Sequence, residues 1–92
     1  MAGGMYGADI EALRVLADTI AEGSARLDGV VAAVGAAMVP EDGWSGPDAE
    51  GFRAEWTDEH MVRLRETASA LAELAGKVRE NADAQEATSN DY

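Results

Sequence analysis

The chain has no cysteine, one histidine and only 2 prolines among its 92 residues. Because disulfides need cysteine pairs, no covalent cross-link can stabilise the fold. A structural zinc site is not expected either, since such sites use cysteines or several histidines as ligands. A chain of this length forms one small domain that buries a modest fraction of its surface, so we expect association with another chain to add stability.

Basic residues are also scarce, with 7 Lys and Arg against 18 Asp and Glu and a formal net charge of −11. A polyanion repels phosphate backbones and anionic headgroups, so neither nucleic acid nor a membrane surface is an expected partner. The amino terminus lacks the basic and apolar regions of a signal peptide, and the longest nearly apolar run, residues 29–40, is too short to cross a bilayer. If the protein leaves the cell, we expect a route that needs no cleavable signal peptide.

Apolar residues make up 47% of the chain, and aromatic residues only 5%. Alanine, leucine and glutamate predominate, which is a helix-forming composition. A first helix is predicted over about residues 9–38, with Asp9 as its N-cap. Leu16 and Val30 broaden its apolar stripe, which predicts contact with more than one neighbour. The stripe itself follows alternating steps of three and four residues, as in coiled coils: Ile10, Leu13, Ala17, Ile20, Ser24, Leu27, Val31, Val34 and Met38.

Prolines and glycines interrupt this pattern over residues 39–47, which predicts a turn. Within the turn, Gly46 allows a sharp bend that a side chain would hinder. We expect the ring of Trp44 to cover the end of the hairpin core at the turn, which makes Trp44 and Gly46 the predicted turn motif.

A second helix is predicted over about residues 47–84, because Pro47 suits a first helical turn, and a polar tail over residues 85–92. The apolar spacing of this helix is looser between Trp56 and Leu64. Its predicted stripe comprises Ala49, Phe52, Trp56, His60, Leu64, Thr67, Leu71, Leu74 and Val78, with Met61, Ala68 and Ala75 widening the face.

These patterns predict an all-α fold, an antiparallel helix-turn-helix hairpin that forms a single domain over residues 1–92. Two helices cannot cover apolar stripes of this width, so we expect two hairpins to pair into a four-helix bundle. The sequence leaves open whether the second hairpin is an identical chain. The residues predicted to pack at the interface are Leu13, Ile20, Leu27, Val31, Val34, Phe52, Trp56, Leu64, Leu71, Leu74 and Val78.

No catalytic residue, metal site or cofactor is predicted, and we expect a protein that is not an enzyme. His60 is the single histidine of a chain without cysteine, so no second side chain of these types can bind a metal ion together with it. Asp58 and Glu59 are adjacent, so on a helix they point about 100° apart and cannot flank one reacting atom. Ser45 has no accompanying base and is better explained as a helix cap.

Residues 44–56 contain a Trp-x-Gly tripeptide, Trp44-Ser45-Gly46, near the middle of the chain. With its long amphipathic helices, acidity and lack of cysteine, the chain resembles the WXG family, the small ESAT-like helical-hairpin proteins of type VII secretion systems. The resemblance covers about residues 8–84. It implies that the turn of a paired hairpin lies beside the helix ends of its partner, where both form a composite surface for the type VII secretion machinery.

The resemblance implies a non-enzymatic substrate or co-substrate of type VII secretion, which pairs with itself or with a related WXG-like protein for export. We therefore expect a secreted protein with a cytoplasmic pool before export. The family's Tyr-x-x-x-Asp/Glu export signal is not found, since Ile10 stands four positions after Tyr6 and Tyr92 is the last residue. Two alternatives follow: a partner supplies the signal, or the protein is an intracellular, chaperone-like binding partner for the helical leader domain of a larger secreted toxin.

Overall fold

The computed structural model describes the backbone of residues 2–38 and 45–90, and the side chains of residues 10–38 and 45–88. Trp44, one of the two residues of the predicted turn motif, lies outside the described residues, as does most of the predicted turn. The described residues form two long helical arms.

The first arm is one helix, α1 (Ala2–Ala37), and the second arm is helical from Pro47 to Asn90. The second arm consists of α2 (Pro47–Glu55), a π-helical turn (Trp56–His60) and α3 (Met61–Asn90). Most contacts between elements join α1 to α3, and the molecule measures 68 × 19 × 18 Å. It is therefore elongated, two helices wide, with no third layer among the described residues.

Cross-arm hydrogen bonds show that the arms run in opposite directions. Near the open end of the hairpin, Arg14 Nη2 donates to Glu86 Oε1 over 2.9 Å. Further along, Ser24 Oγ donates to the Ala68 carbonyl oxygen over 2.6 Å. Residue numbers rise on one arm as they fall on the other, which confirms the predicted all-α antiparallel hairpin.

Both arms extend beyond their predicted ends. Helix α1 begins at Ala2, so Asp9 lies inside the helix and is not an N-cap. Extending an existing helix through a glycine costs about 1 kcal/mol, which is far easier than nucleating a new one. At the other end, α3 continues to Asn90 through the predicted polar tail, where Glu86 is an ion-pair partner of Arg14.

The first arm packs through the stripe that its sequence predicts. All nine stripe residues are buried or half-buried, with Ala17 at 0% exposure. Ser24, the polar member, is buried and uses its hydroxyl in the cross-arm hydrogen bond to Ala68. We call this packed interface between the arms the seam.

On the second arm the prediction was partly wrong. Phe52, His60, Thr67 and Leu74 are exposed, although the predicted stripe includes them. The sequence pattern gave weight to large side chains, but the fully buried residues of the second arm are alanines, whose small side chains allow two helices to pack closely. The seam residues of the second arm are Ala49, Arg53, Trp56, Met61, Leu64, Ala68, Leu71, Ala75, Val78, Ala82 and Gln85.

The π-helical turn explains the looser spacing noted between Trp56 and Leu64. Seam positions advance by three or four residues everywhere except from Trp56 to Met61, where the step is five. A π-turn accommodates one extra residue without breaking the helix. The extra residue is absorbed within Trp56–His60, so α2 and α3 present their seam residues to the same face of α1.

One contact joins the two arms near the closed end of the hairpin, and one local hydrogen bond shapes the start of α2. Arg53 Nε donates to the carbonyl oxygen of Met38 over 2.7 Å, just after the last turn of α1. Gly46 precedes α2 with φ 108° and ψ 175°, and its carbonyl oxygen accepts from Glu50 N over 3.0 Å. This φ is in the region that favours glycine, as expected from the sequence.

Candidate interaction surface

The residues predicted to form the interface divide into two groups. Phe52 and Leu74 lie outside the seam and are 53% and 46% exposed. The others pack within the seam of this one chain, so a partner would meet only their edges. They are Leu13, Ile20, Leu27, Val31, Val34, Trp56, Leu64, Leu71 and Val78.

One side of the seam is lined by charged residues, and we call it the charged flank. Arg14 contacts Asp83 as well as Glu86, at 3.1 and 2.9 Å, and Arg79 contacts Asp18 at 3.1 Å. The hydrogen bond and the negative charge of Glu86 raise the pKa of the Arg14 guanidinium, with further support from Asp83. The positions of this flank are 11, 14, 18, 21, 25, 28, 32 and 35 on α1 and 62, 65, 69, 72, 76, 79, 83 and 86 on α3.

The opposite side of the seam is lined by apolar and small residues, and we call it the apolar flank. Leu16 and Val30 on α1 are 47% and 50% exposed, and Leu74 on α3 belongs to the same side. Phe52 on α2 continues it toward the turn. The members are Ala12, Leu16, Thr19, Gly23, Arg26, Val30, Ala33 and Ala37 on the first arm, and Asp48, Phe52, Glu55, His60, Arg63, Thr67, Ala70, Leu74, Lys77, Asn81, Ala84 and Thr88 on the second.

The heptad geometry of an antiparallel pair decides which residues share a flank. On both helices, the residue just before each seam residue lies on one side of the seam. The residue just after each seam residue lies on the opposite side. The ion pairs of Arg14 and Arg79 mark one side, so Leu16, Val30 and Leu74 fall together on the other. A shallow groove between the arms on that side is lined by Ala12, Leu13, Leu16 and Gln85.

Small residues leave space on the apolar flank. A Cβ added at Gly23, between Leu16 and Val30, would meet no atom within 4 Å beyond its own helix. Gly29 and Gly35 are equally open, so these three glycines of α1 do not serve close approach of the two arms. Gln85 Oε1, at the edge of this flank, is buried and has no hydrogen-bond partner among the described residues.

A second polar cluster lies at the π-turn. His60 Nε2 is 2.8 Å from Glu55 Oε2, and the ligand atoms of Glu55, Glu59 and His60 lie within 4.8 Å of one another. The π-turn brings residues five apart onto one face, which an α-helix does not do. All three side chains are exposed, so water competes for each of them, and no other observation at this cluster points to a bound cation.

Sequence reasoning located part of this surface. Leu16 and Val30 stood out because they broaden the stripe of the first helix, and the structure leaves both half-exposed. The charged flank was missed, since the pairs of Arg14 and Arg79 join residues more than sixty positions apart. The steps of three and four residues contained the signal for the flanks, because they place residues 14, 79 and 86 on one side of the seam.

Comparison with protein-family models, with curated proteins and with solved structures found no match. Among the described residues, no helix combines the length and the apolar character needed to cross a bilayer.

Proposed function

We propose that this protein acts by pairing, and that its apolar flank is the pairing surface. The observation that carries the proposal is the alignment of Leu16, Val30 and Leu74, all about half-exposed, along one side of a hairpin two helices wide. Single exposed apolar residues are ordinary, but an aligned and elongated set marks a contact surface. A second helical hairpin, either a copy of this chain or a related one, would complete a four-helix bundle.

The energetics favour such a contact. Covering the exposed half of a leucine or valine side chain contributes about 1 kcal/mol, because full burial contributes roughly 1.5–3 kcal/mol. The seam itself buries mainly alanines, and no large side chain among the described residues is fully buried. A hairpin with so small a core gains proportionally more from a partner than a larger domain does.

We further propose that the pair is a substrate or co-substrate of type VII secretion, without enzymatic activity. The resemblance of residues 44–56 to the WXG bend supports this, and so does the left-handed φ of Gly46 at the start of α2. In this proposal the turn end of the paired hairpins contacts the secretion machinery, and the protein is present in the cytoplasm before export.

An intracellular, chaperone-like role is the second candidate. Tyr6 is followed four positions later by Ile10 and not by an acidic residue, which favours a protein that binds an exported chain over one that carries the signal itself. The apolar flank would then receive the helical leader domain of a larger toxin. Both candidates use the same surface and differ in where the protein is found.

The pairing is tested by sedimentation velocity of the full chain over a hundredfold dilution, alone and with co-expressed candidate partners, which are other WXG-like chains of the source cells. Val30→Glu places a charge on the apolar flank, whereas Val62→Glu places one on the charged flank at a residue of similar exposure. We expect Val30→Glu to weaken pairing at least tenfold and Val62→Glu to leave it unchanged. A native chain that stays a rigid monomer in every mixture would contradict the proposed pairing.

The export is tested by immunodetection in the source cells, comparing culture filtrate with lysate. Native protein in the filtrate that disappears when the secretion ATPase is inactivated supports the substrate role, with the Val62→Glu variant as a positive control. Native protein confined to the lysate overturns the substrate role and favours the chaperone-like one.

A further inference from the structure

We draw no further inference here: the strongest candidate, the apolar flank along Leu16, Val30 and Leu74, belongs to the surface already proposed for pairing, and because acids and bases alternate along its border, nothing among the described residues shows which partner covers it.

Discussion

The two flanks of this hairpin consist of residues from the same two arms and lie on either side of the same seam. They differ in whether side chains of one arm pair with side chains of the other. On the charged flank, Arg14 and Arg79 reach across to acids of the other arm, so this side is complete within one chain. On the apolar flank, Leu16 and Val30 remain half-exposed. The comparison teaches that a helical hairpin keeps exposed apolar residues on the side of the seam where side chains of the two arms do not pair with each other.

The largest expected effect comes from changing the register that separates the flanks. Deleting Glu66, an exposed residue of α3, would rotate the helix before it by about 100° relative to the helix after it, and mix the two flanks. Because residues such as Met61 and Leu64 would leave the seam, we expect the free energy of unfolding to fall by about 3 kcal/mol or more. Urea unfolding followed by circular dichroism measures this.

Deleting Asp58 is the matched control. Asp58 lies in the π-turn, where the seam step from Trp56 to Met61 is five residues. Its removal would shorten that step to four and turn the π-turn into α-helix, with both flanks kept in place. We expect stability to stay the same or rise. Equal destabilisation by the two deletions would show that the π-turn does not absorb a register shift.

A smaller loss of stability is expected from a substitution at Gly46, where the second arm begins after the turn. Gly46→Ala forces a side chain into a backbone conformation with φ 108°, so we expect a loss of about 1–3 kcal/mol in the free energy of unfolding. Gly51→Ala, in the exposed interior of α2 with open space at its Cβ, should instead add about 1 kcal/mol. A gain from both substitutions would contradict the strain assigned to Gly46.

The seam lies between the two flanks and contains the buried hydroxyl of Ser24. The stability change on losing this hydroxyl can be compared with the changes expected on either flank. Ser24→Ala removes the 2.6 Å hydrogen bond to the Ala68 carbonyl, and we expect a loss of about 1 kcal/mol. Ser69→Ala, at an exposed position of α3, should be neutral or slightly stabilising, since alanine is the better helix former. Thermal unfolding of the two variants side by side distinguishes the cases.

The smallest effect is expected on the charged flank. Arg14→Gln removes the ion pairs to Asp83 and Glu86, but these groups are solvent-exposed and screened, so the melting temperature should fall less than for Ser24→Ala. The difference in melting temperature between the native protein and Arg14→Gln should vanish at high salt. Arg65→Gln should leave the melting temperature unchanged at any salt concentration. A loss larger than that of Ser24→Ala would show that the charged flank contributes more to stability than its exposure allows.

The fold followed from the sequence because local signals agreed with one another. Steps of three and four residues predicted the seam of α1 residue by residue, and the cluster of prolines and glycines predicted where the chain reverses. The second arm was harder to predict, because Leu74 is a large apolar residue that lies beside the seam, while Ala68 and Ala75 are small and lie within it. Hydrophobic size is a poor guide where close helix approach favours alanine.

The sequence by itself determined the helical composition, the heptad spacing, the glycine at the bend and the acidic charge, because each depends on residues near one another in the chain. Only the tertiary structure decided which stripe of the second arm faces α1, how the π-turn absorbs the extra residue, and which side of the hairpin stays apolar. These features depend on the alignment of two arms, in which residues such as Arg14 and Glu86 become neighbours only after the chain has turned back on itself.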